Sequence, residues 1–441
     1  MPVKLRFISH LTFAASAMLA LSVASVAQSD DYEQAPIKYS DSTPNDAITK
    51  LQAKLNAREL AFSGSEKETV AAILRELKIP VESQLLVFSK TSVQRVRISP
   101  SHPRALYYND DTYVGWVPGG LVEVAATDPQ LGPVFYTFDP MERTERSVQR
   151  FRRDPSCLSC HAGNFTRDIP GLFARSVFPE PTGSPIFSAG SAVIDYTTPF
   201  DQRWGGWYVT GRHGAGRHRG NAFAKENGDS VMLDMEGGAN LASLDQFFDP
   251  STYLVPTSDI TSLMIFEHQI AAHQAFTRAN HECRRMLEYQ RGLQESFKQP
   301  FTDEPSFDSV KSVFTHNAEH VLDVLLYKDE SALPDGGIHG KPFRTAYESG
   351  GRHTADGRSL HELDLKTRIA KYRCSHLIYS DQFKQLPKPL LTRILDRLGH
   401  VLHDPKPEPR YAYLGGEERK AIASIIRETA PELAVGWPKV D

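Results

Sequence analysis

Apolar side chains recur at helical intervals from Asp46 to Leu60, where Ile48, Leu51, Leu55 and Leu60 fall near one face. They do so again from Glu66 to Leu77, through Val70, Ile73, Leu74 and Leu77, and Lys78-Ile79-Pro80 is expected to stop that helix. From Gln84 the period shortens. Leu85 to Phe88, Val93 to Ile98, Leu106 to Tyr108, Tyr113 to Val117, Leu121 to Ala125 and Val134 to Phe138 are short β-rich runs, punctuated by Pro, Gly and Asn109-Asp110-Asp111. They predict an antiparallel sheet. Phe173 to Phe178 and Gly190 to Ile194 also read as extended. Arg203-Trp204-Gly205-Gly206-Trp207-Tyr208-Val209-Thr210-Gly211 reads either as a strand whose backbone a flat ligand can approach closely or as an aromatic core strand.

Beyond residue 240 helical spacing returns. Asp259 is the expected N-cap of a long helix to about Gln290, with Leu263, Met264, Phe266, Ile270 and Phe276 on its apolar positions. Further helices are predicted over 306–327, 360–372, 388–402 and 416–429, separated by Pro and Gly clusters at 333–351 and 405–416. The pattern gives an α+β fold, β-rich in its N-terminal half and mainly helical in its C-terminal half.

Between the halves stands Cys157-Leu158-Ser159-Cys160-His161, the attachment signature of a c-type haem. Two thiols one helical turn apart can each add to a vinyl group of one porphyrin, and the adjacent imidazole can reach the iron as its proximal ligand. The bland alternative, a disulfide or half a zinc site, lacks a second Cys-x-x-Cys among the four cysteines of the chain. The expected organisation is a signal peptide at 1–27, two helices and an antiparallel β region at 28–140, a haem-binding region at 141–255 and a helical region at 256–441.

The N-terminus points to the same chemistry. Lys4 and Arg6 form a basic start, Leu11 to Val23 is a short apolar stretch, and Ser25-Val26-Ala27 offers small residues to a signal peptidase. Export to the periplasm, where bacterial cytochromes c mature, is the expectation; an uncleaved anchor is the runner-up. The remaining composition, 40% apolar and 24% charged with a formal charge of -4, suggests no nucleic-acid partner. No later stretch is long and apolar enough for a transmembrane helix.

Several groups could serve the iron's second face. Met232 and Met235 follow the motif, but in the Gly- and acid-rich stretch Asn227 to Gly238, which reads as an exposed loop. His213 and His218 lie in a Gly-rich segment beside Arg212 and Arg217. His268 and His273 lie on the long helix about 140° apart, so one can face a cofactor while the other points elsewhere. His268, flanked by Glu267 and Gln269, is the favoured distal ligand or acid/base group, with His218 second. Each of these histidines can equally be structural. Arg143, Arg146, Arg150, Arg152 and Arg153 could neutralise haem propionates, dock an acidic redox partner, or be plain surface. His316 and His320 have the i, i+4 spacing of metal ligands without a third. Cys283 and Cys374 could pair or remain buried thiols.

The motif together with the 203–211 segment, Val87-Phe88-Ser89-Lys90-Thr91-Ser92, Tyr113-Val114-Gly115-Trp116-Val117 and Asp364-Leu365-Lys366-Thr367-Arg368 resembles a group of large single-haem cytochrome c domain proteins from environmental bacteria. The resemblance implies covalent haem and export. Asp154-Pro155-Ser156 directly precedes Cys157, and a helix cannot comfortably run through Pro155, so the minimal small cytochrome c fold is not expected. The functional expectation is an exported c-type cytochrome with one covalent haem that transfers electrons to or from a partner protein. The alternative is a peroxidase-like or oxygenase-like haem oxidoreductase with an open distal position, using His268 or His218 as acid/base and Arg212 or Arg217 to stabilise charge.

Overall fold

The computed structural model describes residues 30–142, 148–227 and 230–438. The segment read as a signal peptide lies outside them, as do Arg143 and Arg146. The two N-terminal helices form where the periodicity places them. α1 (Ala47–Asn56) starts at Asp46, whose carboxylate accepts the Thr49 N–H at 2.7 Å. α2 (Glu66–Glu76) starts at a reciprocal Ser65/Glu68 capping box. Their apolar stripes, Ile48, Leu51, Leu55, Val70, Ile73 and Leu74, are buried.

The strands are β1 (Leu85–Val87), β2 (Arg104–Tyr108), β3 (Thr112–Trp116), β4 (Val122–Asp128), β5 (Gly132–Phe138) and β6 (Arg152–Arg153). β7 (Ala174–Val177) and β8 (Ser191–Ile194) pair with each other, and β9 (Trp207–Tyr208) returns to the main sheet. β10 (Ala224–Asn227) and β11 (Ser230–Leu233) form a separate hairpin. The main sheet runs β6-β5-β4-β3-β2-β1-β9 and is antiparallel wherever its strands pair.

Period-two alternation sorts this sheet into two faces. Ala105, Tyr107, Val114, Trp116, Val122, Val124 and Phe138 join one apolar core with α1 and α2. Leu85, Val87, Tyr108, Tyr113, Ala125 and Phe135 join the other, built with the C-terminal helices.

The Cys157–His161 segment follows β6 at the sheet edge. Pro155–Cys157 is a single 3-10 turn, started by the Asp154 carboxylate accepting the Ser156 N–H at 3.0 Å, and α3 (Leu158–His161) follows. Pro155 therefore opens the turn instead of interrupting a longer helix. The C-terminal half begins with α4 (Ile260–Ser296), 37 residues and about 55 Å long, capped by Asp259. α5 (Asp308–Leu325), α6 (Pro342–Gly350), α7 (Asp381–Lys384), α8 (Lys388–His403) and α9 (Gly416–Thr429) complete it. The fold is thus α+β as expected. Among the described residues no helix is long and apolar enough to cross a membrane.

Four elements differ from the sequence pattern. Val93 to Ile98 is a turn segment, with Val93 and Val96 63% and 89% exposed; nothing covers them, and Gln94 instead fixes the segment by bonding both the N–H and the carbonyl of Leu121. Residues 360–372 are irregular, because the Asp364 carboxylate accepts the N–H groups of Lys366 and Thr367 and Leu365 takes a left-handed conformation (φ +59°). Helix α6 forms inside the Pro- and Gly-rich 333–351 stretch, with Pro342 at its first turn. Met232 lies on strand β11 instead of a loop.

Candidate functional site

A cavity opens on the sheet face that α1 and α2 do not cover, and the register of the strands explains its shape. Leu106, Gly115 and Glu123 stand side by side across β2, β3 and β4, and Tyr113, Ala125 and Phe135 across β3, β4 and β5. The small residues Gly115 and Ala125 occupy the middle positions of these two adjoining rows, so the sheet is hollowed between larger neighbours. A Cβ at Gly115 would lie 2.4 Å from the Arg104 guanidinium, which crosses the bare backbone to pair with Glu123 at 2.5 Å. The cavity encloses about 1150 Å³, counting the part open to solvent. Cofactor sites are typically concave and mainly apolar.

Cys157, Cys160 and His161 all line this cavity. Its other walls are largely apolar and aromatic, with Phe173 after the motif, Trp207 on β9 and Phe266 on α4. The His161 ring lies between Phe135 and Phe173, at centroid distances of 4.6 and 4.9 Å. Its Nδ1 is 2.8 Å from the Gly171 carbonyl oxygen, and the Gly171 N–H in turn donates to the His161 carbonyl at 2.8 Å. Nδ1–H donating to this carbonyl leaves Nε2 as the nitrogen with a free lone pair. Burial pulls the imidazole down to about 4, so the ring is neutral at physiological pH, the form that ligates a metal. Burial also pushes the Cys157 thiol up to about 12, while Cys160 is exposed.

Helix α4 braces this segment. Gln274 donates to the Thr166 carbonyl at 2.7 Å, and a Cβ at Gly171 would fall 1.7 Å from the Gln274 Oε1. A larger residue at this position would have to displace the Gln274 amide. Two arginines reach the cavity, Arg104 and Arg175. Arg175 also stands over the Phe165 ring at 4.5 Å, and the Trp207 indole N–H holds its carbonyl at 2.7 Å. The Nε atoms of both arginines are buried without a hydrogen-bond partner. Donors of this kind suit carboxylates.

The groups gathered here are of the kinds that hold a c-type haem: two thiols beside an imidazole with a free nitrogen, aromatic walls, and two guanidinium groups with spare donors. If bound, such a group would be held by Cys157, Cys160 and His161 and would supply one-electron chemistry at iron.

The structure does not bring the other sequence candidates to this cavity. His268 is fully buried on α4, stacked on Tyr327 at 3.7 Å with Tyr196 edge-on at 5.1 Å, and neither ring nitrogen has a partner. Phe266, two residues earlier, is the α4 side chain that faces the cavity. His273 bonds Gln382 and the Asp110 carbonyl. His213 and His218 pack on each other at 4.6 Å, with Phe200 against both rings and Trp204 against His218. Arg212 is exposed, and Arg217 pairs with Glu236 at 2.6 Å. The close approach read from Gly205-Gly206 is to β7: a Cβ at Gly205 would meet the Val177 carbonyl at 2.1 Å. Met232 is 58% exposed on its hairpin.

Of the arginine cluster, Arg152 pairs with Glu142, and Arg153 donates to the carbonyls of Tyr39, Ser40 and Ser42. Cys283 and Cys374 are buried thiols, unpaired. Sequence reasoning missed Arg104 and Arg175. The available signal was a charged residue inside the extended run Phe173 to Phe178 and another two residues before Leu106.

Comparison with protein-family models, curated proteins and solved structures finds no match to the chain.

Proposed function

We propose that this chain is an exported redox protein carrying one covalent c-type haem, attached through Cys157 and Cys160 and ligated by His161. The observation that carries the reading is the convergence of these three residues on one aromatic-walled cavity, with His161 Nδ1 engaged by the Gly171 carbonyl so that Nε2 is free. Arg104 and Arg175 would meet the propionates, and exposed Cys160 marks the rim where electrons would pass to a partner protein. Export to the periplasm rests on the N-terminal sequence pattern.

Two functions divide on the iron's second face. An electron carrier with two side-chain ligands needs a histidine or methionine there. Among the described residues lining the cavity, His161 is the one imidazole and there is no thioether. This favours an open iron position, and with it the haem oxidoreductase, over the six-coordinate carrier. In that reading only one of Arg104 and Arg175 would serve the propionates, and the other, not Arg212 or Arg217, would be the cation available to an anionic oxidant, with the haem supplying redox chemistry if bound.

The test is haem staining after denaturing electrophoresis, followed by ferric and ferrous spectra with and without cyanide. A high-spin ferric spectrum that shifts with cyanide, with peroxide turnover faster than free haem, supports the oxidoreductase. A low-spin spectrum indifferent to cyanide supports the carrier. Absence of covalent haem in protein matured in a cytochrome c-competent host overturns both.

A further inference from the structure

Away from the cavity, three side chains distant in sequence meet at the end of the β2–β3 hairpin. Asp110 is in its turn, His361 in the irregular stretch after α6, and His376 opens a 3-10 turn. One ligand atom from each lies within 4.8 Å of the others. The two rings are 4.6 Å apart and are only 6% and 1% exposed, whereas the Asp110 side chain is 59% exposed.

Hydrogen bonding leaves the cluster incomplete. His376 Nδ1 is 2.8 Å from the Tyr347 hydroxyl, which fixes the ring and aims Nε2 to within 3.3 Å of the Asp110 carboxylate. Apart from this ionic contact, the buried Nε2 has no hydrogen-bond partner, and neither has His361 Nδ1. Buried polar nitrogens without partners are rare and costly. The Asp110 turn is itself held from behind, since His273 Nε2 sits 2.9 Å from its backbone carbonyl.

We infer that Asp110, His361 and His376 bind one divalent first-row transition-metal ion. Two imidazole nitrogens and one carboxylate oxygen form a borderline donor set suited to zinc or iron(II) and poorly suited to calcium. In a tetrahedral site with bonds of about 2.0–2.1 Å, donor atoms stand about 3.3 Å apart. His376 Nε2 and Asp110 Oδ1 already have that separation. Tyr347 supports the His376 ring from outside, as hydrogen-bonded outer groups do for metal-bound histidines. Three protein ligands leave a coordination position open on the side where Asp110 reaches solvent, the arrangement of sites that act on small ligands rather than ones that only brace a fold.

The site does not depend on haem, and its test keeps the two apart. The full chain, stripped with a chelator, is titrated with zinc chloride by calorimetry, and retained zinc is counted by elemental analysis. Asp110→Asn preserves shape at a solvent-reaching side chain, and circular dichroism and the melting temperature check that the variant folds. The wild type is expected to hold one more zinc equivalent than Asp110→Asn, and Tyr347→Phe to bind about 10–100-fold more weakly than wild type. X-ray absorption at the zinc edge should show only nitrogen and oxygen neighbours. Haem content should be the same in all three proteins. Equal zinc uptake by wild type and Asp110→Asn overturns the inference, as does a sulfur shell near about 2.3 Å on the zinc that distinguishes them, which would assign it to cysteine.

Discussion

Burial pushes both His161 and Glu267 toward their neutral forms, the imidazole down to about 4 and the carboxyl up to about 7, but the partners left to them differ. The imidazole gives up its second proton and keeps one hydrogen bond, to the Gly171 carbonyl. The Glu267 carboxylate, 1% exposed, is matched instead by the equally buried Arg203 guanidinium at 2.8 Å, and that arginine also donates to the carbonyls of Tyr196 and Thr198. Glu267→Ala strands a buried cation and should cost about 3–5 kcal/mol in denaturant unfolding. The double replacement Arg203→Met with Glu267→Leu should recover most of that loss; a single mutant as stable as the wild type would refute the account. The juxtaposition of Cys157, Cys160 and His161 was legible in the sequence because it depends on local spacing alone. Arg104, Arg175, Asp110, His361 and His376 were not, because each gains meaning only from partners that the fold brings from far along the chain. His268 misled for the same reason: its position on a helix said nothing about Tyr327, which covers it.

Elements were read well where a repeat persisted over several turns or rows. α1, α2, α8, α9 and the β2–β5 meander all lie where the periodicity put them. The reading failed where a side chain competed for backbone groups, as Gln94 does with Leu121 and Asp364 with Lys366 and Thr367. In the meander the decisive position is Gly115, whose missing side chain lets Arg104 cross β3. Gly115→Val keeps a good strand former in place while filling the hollow and displacing the guanidinium. The haem-to-protein ratio of purified material should fall severalfold with far-ultraviolet circular dichroism unchanged. An unaltered ratio would remove the hollow from the binding argument.

Across the whole molecule the two apolar cores carry an unusual load of neutral histidine. Burial, the leading cause in each case, holds His218 and His281 down to about 3, and drives His268 well below its ordinary range. None of them belongs to the cavity or to the Asp110 cluster. Folded, these rings stay neutral; unfolded, they take up a proton near pH 6.5. The unfolded chain therefore binds more protons below that pH. Their stabilisation is complete above about pH 6.5 and is lost as pH falls toward about 3, by up to about 1.4 kcal/mol per pH unit for each ring. Melting temperatures should drop steeply between pH 6.5 and 4, and His281→Gln should flatten the slope. A melting temperature constant over that range would contradict the burial of these rings.

The pairing of β9 with β1 has a kinetic meaning as well. Leu86 and Val87 join Tyr208 and Trp207 across about 120 residues of chain, and the whole Cys157–His161 segment lies inside that span. Contacts so far apart form late, after the short-turned hairpins of the meander have assembled. As the chain folds, the hollow of the sheet is thus expected to exist before its far wall, which Trp207 and Phe266 supply from beyond the loop. For an interval the two thiols stand at the mouth of a half-built pocket, open to any group that would be joined to them under the proposed function, and the closing strand ends that interval.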